Sequence, residues 1–554
     1  MLKFRWYMAA FLNLIRRLNE DFGCACMHRR HEVPSGGVSN NGYTYLTATC
    51  IAASITRRLG GIAQKAKERN SGGDAIGKEA EPPVEEVDKQ TIVDWGLKMG
   101  SSDAIEHDGQ SNGLVADDEV LEERYRNSFG CRAGYLPGER FCINQWHRNL
   151  QLQGKLASPK SSPAVNKLRE LIYTDPILRM YVTEMIDQVA DEHKVVTDID
   201  QMLQHLATVV ITAPEYHTDP NQCHMFPMWE LFAYMMGTPA GMDVFRNYSF
   251  NEGLRAVLEE WCKYLDSSDS AKVLTTAENG WLSPAAHRDY HLWEYELDMT
   301  KPHGGFASYN AFFHRAIKPS TRPVAEPNDP KVIVSTNDGY VIAVVRDVQR
   351  LQPFWLKGER YSLVDILGGS RSPITHKPYV DQFQGGDLFH TYLSGNDYHR
   401  FHAPVDGTVE DIVTPPNGLL FSVPEPMGDD FDLGESQIYY TAVNHRKLVF
   451  IAASNKAIGT VCMMPIGITD ISSIRFRDGL MVGDYVRKGE EIGCFAYGGS
   501  SIVLLFQFGA VDHFTGAKPL PSGSPPSDCP PIKVNEQIAI AKSGDQSGAA
   551  SMTT

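Results

Sequence analysis

The chain has 554 residues, which is too many for one ordinary compact domain and predicts at least two domains. Its 52 basic and 68 acidic residues give a net charge of −16, which argues against a general nucleic-acid binder because such proteins need a basic surface. Apolar residues make up 42 % of the chain, enough to build a sizeable core.

The first 123 residues give few signals of folded structure. Most of this segment is rich in Gly, Ser, Asn, Ala and charged residues without apolar periodicity, and we expect residues 1–123 to be a disordered extension. The apolar stretch from Phe4 to Ile15 is too short to span a bilayer. We interpret it as a short ordinary helix, with an interfacial amphipathic helix as the alternative.

The ten cysteines are scattered along the chain, which predicts free thiols in a reducing compartment. Cys24 and Cys26 lie near His28 and His31, but the cysteine spacing is short and no second cysteine pair follows. We therefore predict no metal site. We expect a cytoplasmic protein, with a peripheral membrane or mitochondrial location as the alternative.

Residues 124–295 have the apolar spacing of α-helices. Between Pro163 and Thr212 apolar residues recur at helical intervals, and Ser162 followed by proline is a signal for a helix start. A second helical stretch covers residues 250–268. We interpret the Met-rich and aromatic residues of segment 225–236 as core packing. The region is predicted to be an α-helical domain.

From about residue 330 the pattern changes to short β-type runs separated by Gly, Asp and Asn turns. Gly483-Asp484 and Lys488-Gly489 are predicted hairpin turns. We therefore predict an α+β protein in which the helical domain precedes a β-rich catalytic domain at residues 296–554. The predicted strands lie in the runs KVIVSTNDGYVIAVV, GTVEDIV, KLVFIAAS, IGTVCMMPIG and GSSIVLLFQFGAV.

The sharpest local motif is YGGSS at residues 497–501, directly before a predicted buried strand. Alone it indicates only a turn, but four further segments precede it in a fixed order. They are YNAFFHRAIKPSTRPV, STNDGYV, FWLKGERYSL and FQGGDLFHTYLSGNDYHRFHAPVDG.

This ordered set resembles the phosphatidylserine decarboxylase family over roughly residues 305–540. Members of that family carry FFxRxLKPxxRP, PADG, KGxxYSL, YLxxxDYHRxHxP and a C-terminal LGST motif. The helical region, with its segment LTTAENGWLSPAA, resembles the associated domain of the soluble fungal branch. That branch includes the tryptophan decarboxylase of psilocybin biosynthesis and carries GGSS-like motifs.

The resemblance implies that the chain cleaves itself between Gly499 and Ser500, and that Ser500 becomes a covalent pyruvoyl cofactor in place of pyridoxal phosphate. The pyruvoyl ketone would bind the substrate amine as a Schiff base and accept the electrons left by departing carbon dioxide. Gly499 suits the scissile position because it lacks a Cβ. The implied substrate is phosphatidylserine or a free aromatic L-amino acid such as tryptophan, and the sequence does not separate the two.

Position within the family motifs also implies the roles of three further residues. His402 would be the base that activates Ser500, and Asp338 would orient that histidine, as in a Ser-His-Asp triad. His399 matches the family histidine that is linked to decarboxylation. The aspartate loop reads Thr-Asn-Asp-Gly here instead of Pro-Ala-Asp-Gly, with Asp338 kept.

Several alternatives remain at the level of single residues. Asp397 and Asp406 are the alternative carboxylates, and Ser501 is the competing nucleophile. Ordinary turn or core roles are the alternative for Asp338 and both histidines. His445 is a candidate for substrate contact or for a surface role.

Two other function classes compete with a decarboxylase. A non-catalytic family member acting as a binding module would be expected to lose the serine, histidine or aspartate, and all are present. A Ser-His-Asp hydrolase would need a G-x-S-x-G elbow, whereas Ser500 opens a predicted strand. For the decarboxylase we expect the large and small chains to stay associated after cleavage. A homodimer and peripheral membrane contact are open options for its assembly.

Overall fold

The computed structural model describes residues 148–149, 162–191, 194, 196–218, 226–352, 361–421, 437–468, 470, 473–497, 499–515 and 531–543. The predicted disordered extension, 1–123, and its cysteine and histidine cluster lie outside these residues. No helix within the described ranges is long and apolar enough to cross a membrane.

The N-terminal part of the described chain is helical, as predicted. Its longer helices are α1 (Pro163–Thr174), α2 (Pro176–Asp187), α3 (Ile199–Val209), α4 (Pro227–Met236), α5 (Pro239–Arg246) and α6 (Tyr248–Leu265). Two short helices follow, α7 (Pro284–Asp289) and α8 (Tyr309–Phe313). Short 3₁₀ turns lie at Ser268–Val273, Leu292–Glu294, Pro302–Gly305 and Pro319–Thr321.

The predicted helix start at Ser162 is confirmed, because its hydroxyl accepts a hydrogen bond from the Val165 N–H at 3.1 Å. The periodic run up to Thr212 is three helices rather than one. Pro176 lacks an amide N–H and cannot continue α1, so Asp175 ends that helix and caps α2. Periodicity showed the apolar face of this region but did not show its interruptions.

The predicted apolar faces are buried. On α6 the buried residues recur at helical spacing, as predicted for residues 250–268: they include Leu254, Val257, Leu258, Trp261 and Leu265. The Met-rich and aromatic residues of α4 are core residues, which confirms their interpretation as packing: Met228, Trp229, Phe232, Met235 and Met236 are each at most 3 % exposed.

The C-terminal part contains three antiparallel sheets. Its strands are β1 (Val332–Val334), β2 (Gly339–Val345), β3 (Asp387–Leu393), β4 (Arg400–His402), β5 (Gly407–Val413), β6 (Leu448–Ala453), β7 (Thr460–Ile468), β8 (Ile474–Phe476), β9 (Tyr485–Val486), β10 (Glu491–Phe495), β11 (Gly499–Phe506), β12 (Val511–Phe514), β13 (Pro531–Ile532) and β14 (Gln537–Ala541). The largest sheet has the order β13-β2-β3-β11-β7-β6-β5-β9, and the smaller ones are β1-β14-β12 and β4-β10-β8. All five predicted β-type runs contain strands, and the predicted turn glycines have φ of 98° at Gly483 and 81° at Gly489.

The eight-stranded sheet separates two apolar cores. Alternate residues of β11 point to opposite faces of the sheet. Ile502 and Leu504 belong to the larger core, which also contains the helical region. Val503 and Leu505 belong to the smaller core, which is covered by α9 (Leu363–Leu367) and α10 (Val380–Phe383). A further helix, α11 (Gln437–Val443), precedes β6. The strand β11 is therefore central in the sheet and buried on both faces.

The helical region packs directly against the sheets. The Asn251 side chain donates to the Gly418 carbonyl at 3.1 Å and accepts from the Leu420 N–H at 3.0 Å. The Phe232 ring packs against the Phe421 ring with centroids 5.5 Å apart. Both contacts join α4 or α6 to the loop after β5, and the larger apolar core contains residues of these helices together with Ile502 and Leu504 of β11.

Candidate active site

Ser500 lies at the start of β11, between two neighbouring strands. It pairs with Leu393 on β3 and with Gly467 on β7, while Gly499 pairs with Ile468. The Ser500 side chain is fully buried, and its Oγ has no hydrogen-bond partner among the described residues. Such an atom costs about 1–3 kcal/mol when it is left unsatisfied. Ser500 thus places a buried hydroxyl, with no partner among the described residues, directly after a glycine.

Ser501 is equally buried, and its Oγ also lacks a partner in the described part of the chain. Alternation along β11 separates the two hydroxyls. Ser500 shares the face of Ile502 and the larger core, which also contains Tyr398 and Tyr497. Ser501 points to the opposite face. This arrangement favours Ser500 as the nucleophile, as the motif predicts.

His402, at the end of β4, is held through both ring nitrogens. Nδ1 lies 2.8 Å from the Gly489 carbonyl oxygen, and Nε2 lies 3.0 Å from the Tyr398 hydroxyl. Because a carbonyl only accepts, Nδ1 carries the proton, and Nε2 accepts from the tyrosine. Burial lowers the pKa of His402, although the Gly489 hydrogen bond opposes this shift. The imidazole is therefore neutral and has a basic Nε2, as a general base requires.

The Asp338 carboxylate is buried, but it binds a guanidinium and not His402. Arg322 Nη2 lies 2.7 Å from Asp338 Oδ2, and Arg322 Nε lies 3.1 Å from Oδ1. The Val534 N–H also donates to Oδ1 at 2.8 Å, and Lys533 Nζ lies 3.5 Å from Oδ2. The predicted hydrogen bond between Asp338 and His402 is not made in this structure, because both side chains bind other groups. Asp338 acts on His402 only through its negative charge.

His399 is buried against an aromatic ring. Its side chain is 1 % exposed, and its ring centroid lies 4.0 Å from that of Phe313 on α8. The His399 carbonyl accepts from the Phe495 N–H at 2.8 Å, which ties the histidine to β10, the strand before the scissile bond. Phe313 also packs against Tyr497 with centroids 5.0 Å apart. The predicted decarboxylation histidine is thus joined to the cleavage motif through one aromatic ring.

Tyr497 anchors the chain two residues before the predicted scissile bond. Its ring lies in a cage of Phe226, Trp261, Tyr309 and Phe313, with ring centroids 6.0, 5.1, 5.4 and 5.0 Å away. Its N–H donates to the Asn310 side-chain oxygen at 3.1 Å. Phe226 and Trp261 come from the helical region, so that region fixes the approach of the chain to Ser500.

Two of the alternative site residues flank the strands beside Ser500. Asp397 accepts from the Ser394 N–H at 2.7 Å, and burial raises the pKa of its carboxyl. The His445 carbonyl accepts from the Gly467 N–H at 2.9 Å, and burial lowers the pKa of this histidine to about 4. His445 is buried and Asp397 is half-buried, and both lie near the strand partners of Ser500.

Asp406, the other alternative carboxylate, binds the backbone one residue before Gly489, the residue whose carbonyl binds His402. Its side chain accepts from the Lys488 N–H at 3.0 Å, and its carbonyl accepts from the Ser454 N–H at 2.8 Å. These contacts place Asp406 at the turns that join β5, β6 and β9. Its side chain has no hydrogen bond to His402.

The sequence did not predict the residues that bind the predicted site residues His402 and Asp338. Tyr398 lies inside the DYHR segment, Arg322 ends KPSTR, and Gly489 lies in the VRKGEE hairpin. Their types and motif membership were visible, but their pairing was not. The described residues contain no group of His, Cys, Asp and Glu side chains that could hold a metal ion.

Comparisons with known proteins cover both parts of this architecture. Two family models match, both described as phosphatidylserine decarboxylase: one spans residues 162–290 and the other residues 309–519. The chain is 36 % identical to decarboxylase iboD of Amanita muscaria over 299 residues, which is 50 % of this chain and 83 % of that protein.

Two further relatives represent the two substrate classes. The chain is 28 % identical to an L-tryptophan decarboxylase of Psilocybe cubensis, over 61 % of this chain and 79 % of that protein. It is 30 % identical to phosphatidylserine decarboxylase proenzyme 3 of Schizosaccharomyces pombe, over 38 % of this chain and 20 % of that protein. With both parts of its fold matched, the chain is a carboxy-lyase that belongs to the phosphatidylserine decarboxylase family.

Proposed function

We propose that the protein matures by cutting itself between Gly499 and Ser500, and that Ser500 becomes its pyruvoyl cofactor. The observation that carries this proposal is the buried Ser500 hydroxyl, which has no hydrogen-bond partner among the described residues. The site fits the group, because conversion of Ser500 turns its Cβ into a methyl group and so leaves no buried hydroxyl unsatisfied at this position. Once formed, the pyruvoyl group supplies an electron sink for the carbanion that is left when carbon dioxide departs.

His402 is the base that we assign to the cleavage step. Its Nδ1–H is fixed by the Gly489 carbonyl, so the basic lone pair is on Nε2. That lone pair accepts the Tyr398 hydroxyl in this structure. The tyrosine must therefore turn away so that His402 takes the Ser500 proton directly, or relay that proton by accepting it while passing its own proton to His402. Neutral histidine is the competent form, and burial favours it.

His399 is the residue that we assign to proton transfer during decarboxylation. Its ring packs against Phe313 at a tilt, and Phe313 is packed against Tyr497 beside the chain that leads to Ser500. Aromatic packing fixes the ring position and excludes water from one of its faces. A histidine held in this way is suited to deliver a proton to a substrate carbon without competing hydrolysis.

We propose a free amino acid as the substrate, with L-tryptophan as the first compound to test. Relatives named L-tryptophan decarboxylase align over 57–61 % of the chain, whereas the phosphatidylserine decarboxylases that we compared align over 38–42 %. The longer alignments must take in more than the catalytic domain. Because Phe226 and Trp261 of the helical region reach the cleavage motif, this region is placed to influence substrate choice.

The test uses purified protein and two substrates in parallel. L-tryptophan and phosphatidylserine vesicles are incubated separately, and tryptamine, phosphatidylethanolamine and carbon dioxide are measured, with Ser500→Ala as the inactive control. We expect tryptamine from the parent protein only. Phosphatidylethanolamine as the sole product would refute the amino-acid proposal, and no product from a fully cleaved protein with either substrate would refute both substrate classes.

We also propose that the enzyme is cytoplasmic. In fractionated cells it should remain in the supernatant after membranes are sedimented. Recovery in the membrane pellet or in mitochondria would contradict this location.

A further inference from the structure

Arg315 is a buried cation with no ion pair to any described residue. Its residue is 4 % exposed, and its Nε and Nη2 atoms are buried without a hydrogen-bond partner among the described residues. Within the described part of the chain, Nη1 alone is bonded, to the Phe312 carbonyl at 3.3 Å. A guanidinium keeps its charge at all physiological pH values, so this arrangement leaves a buried positive charge incompletely solvated.

Two aromatic rings lie against the guanidinium, and the buried donors along one of its edges are unused among the described residues. The Arg315 Cζ atom lies 4.0 Å from the Tyr295 ring centroid and 5.0 Å from that of Phe312. Nε and Nη2 form the side of the guanidinium that receives both oxygens of a carboxylate in two parallel hydrogen bonds. The unused donors of Arg315 are therefore those of a carboxylate receptor.

The neighbouring carboxylates are engaged with other groups. Glu294 and Asp338 both bind Arg322, with 2.7 Å between each pair of nearest atoms. Asp397 caps the turn at Ser394. No ion pair joins Arg315 to any of these three within the described residues. The anion that completes Arg315 has to come from outside this set.

Self-cleavage creates a carboxylate two residues after Tyr497. In the proposed maturation the Ser500 Oγ bonds to the Gly499 carbonyl carbon, the peptide C–N bond breaks, and the serine proton moves through the base to the freed nitrogen. Loss of the residue 500 Cα proton then breaks the Cβ–Oγ bond. This step releases the Gly499 carboxylate and leaves dehydroalanine, which water converts into the pyruvoyl group and ammonia. The large chain therefore gains a new negative charge at Gly499.

The new terminus is tethered to the helix that precedes Arg315. Tyr497 is bonded to Asn310 and packed against Phe313, both of which are on α8, and Arg315 follows that helix by two residues. Two extended residues span at most about 7 Å, so Gly499 remains within that distance of its Tyr497 anchor. This distance is comparable to the reach of an arginine side chain.

From this geometry we propose that Arg315 binds the carboxylate of Gly499 after cleavage and so holds the new end of the large chain away from the reacting centre. The proposal rests on the proposed maturation and deepens it. The substrate carboxylate is the less suitable occupant. It must lose its charge as carbon dioxide leaves, and a bidentate ion pair would stabilise the ground state against that change. The Gly499 carboxylate keeps its charge during the reaction, so the ion pair with Arg315 stabilises it at every stage.

The test compares the effect of Arg315→Met before and after cleavage. The substitution is made in the parent protein and in the uncleavable Ser500→Ala protein, and thermal midpoints are measured for all four proteins. In the uncleavable background we expect Arg315→Met to leave the thermal midpoint unchanged or to raise it, because an unpaired buried cation is removed. In the cleaved pair we expect the midpoint to fall by on the order of 5 °C, because a bidentate pair is lost. Equal shifts in both backgrounds would overturn the proposal.

A second measurement reports the position of the terminus itself. Mature protein is treated with a carboxypeptidase, and the mass of the large chain shows whether Gly499 is removed. We expect the parent to keep Gly499, Arg315→Met to lose it rapidly, and Arg315→Lys to lie between them. Arg346→Met is the matched control, because Arg346 also stacks on an aromatic ring but already pairs with Asp387.

Three outcomes distinguish a failure of the Arg315 proposal from a failure of the proposed maturation. Identical trimming of parent and Arg315→Met protein would overturn the role of Arg315 while leaving the maturation intact. A raised KM for the amino acid, with normal midpoints and trimming, would assign Arg315 to the substrate carboxylate and also overturn the proposal. A parent protein that never cleaves would instead remove the proposed function on which this inference rests.

Discussion

Asp338→Asn separates a structural aspartate from one that directly orients the base. The structure gives Asp338 an ion pair with Arg322 at 2.7 Å, in which the two side chains are 2 % and 6 % exposed. Breaking a buried pair from one side costs about 3–5 kcal/mol. Asparagine still accepts from the Val534 N–H and from one guanidinium N–H, so we expect the lower end, about 3 kcal/mol. Lys533, which is 43 % exposed, adds little.

The expected effect on cleavage is smaller than a triad would give. The tautomer of His402 is fixed by the Gly489 carbonyl, so the loss of the Asp338 charge changes only the electrostatic support of that histidine. We expect folded Asp338→Asn protein to mature within about tenfold of the parent rate. Direct orientation of the base would instead predict a loss approaching four orders of magnitude, the magnitude that the same substitution causes in a serine protease.

Two assays on matched proteins decide between these accounts. Stability is measured by chemical unfolding in the Ser500→Ala background, where neither protein can cleave. Maturation is measured as the cleaved fraction against time after a pulse of synthesis. Arg322→Met is the control, because Asp338→Asn should add little further destabilisation once that partner is absent. Normal stability combined with a thousandfold slower cleavage would refute the reasoning.

The remaining predictions use the same cleavage assay. His402→Ala should block maturation because Ser500 loses its proton acceptor, whereas His399→Ala should mature and then decarboxylate poorly; normal maturation of His402→Ala would contradict the assignment. Because burial lowers the pKa of His402, its neutral form persists as the pH falls. The cleavage rate of precursor from cell-free translation should therefore hold down to about pH 6.5 and fall only below it, and a midpoint above that value would contradict a lowered pKa. Tyr497→Ala should cost about 3–5 kcal/mol in the Ser500→Ala background and slow cleavage in the parent, since the anchor is lost; unchanged stability would show that the cage does not hold the strand.

Local patterns predicted the elements of this fold well. The helix start at Ser162, the buried face of α6 and the turn glycines at positions 483 and 489 all depend on residues close together in sequence. The position of Ser500 at the beginning of a strand was likewise visible in the run of apolar residues that follows it. Each of these features is decided by local backbone geometry or by periodicity.

The contacts that define the site were beyond such patterns. The Tyr497 cage brings together Phe226 and Trp261, which lie more than 200 residues earlier in the chain. The pairing of Asp338 with Arg322, in place of His402, depends on which of several nearby groups the folded backbone aims at the carboxylate. The motifs identify which residues belong to the site. Which of these residues bind one another depends on the tertiary structure and cannot be read from the motifs.

The most direct test of the central claim is the intact mass of the purified, denatured protein. The account predicts two chains, residues 1–499 and 500–554, with the small chain lighter than a serine-initiated chain by the mass of one ammonia. Its N-terminus should resist Edman degradation, and Ser500→Ala should remain a single chain. A single intact parent chain, or a small chain that begins with a free serine amine, would contradict self-conversion of Ser500.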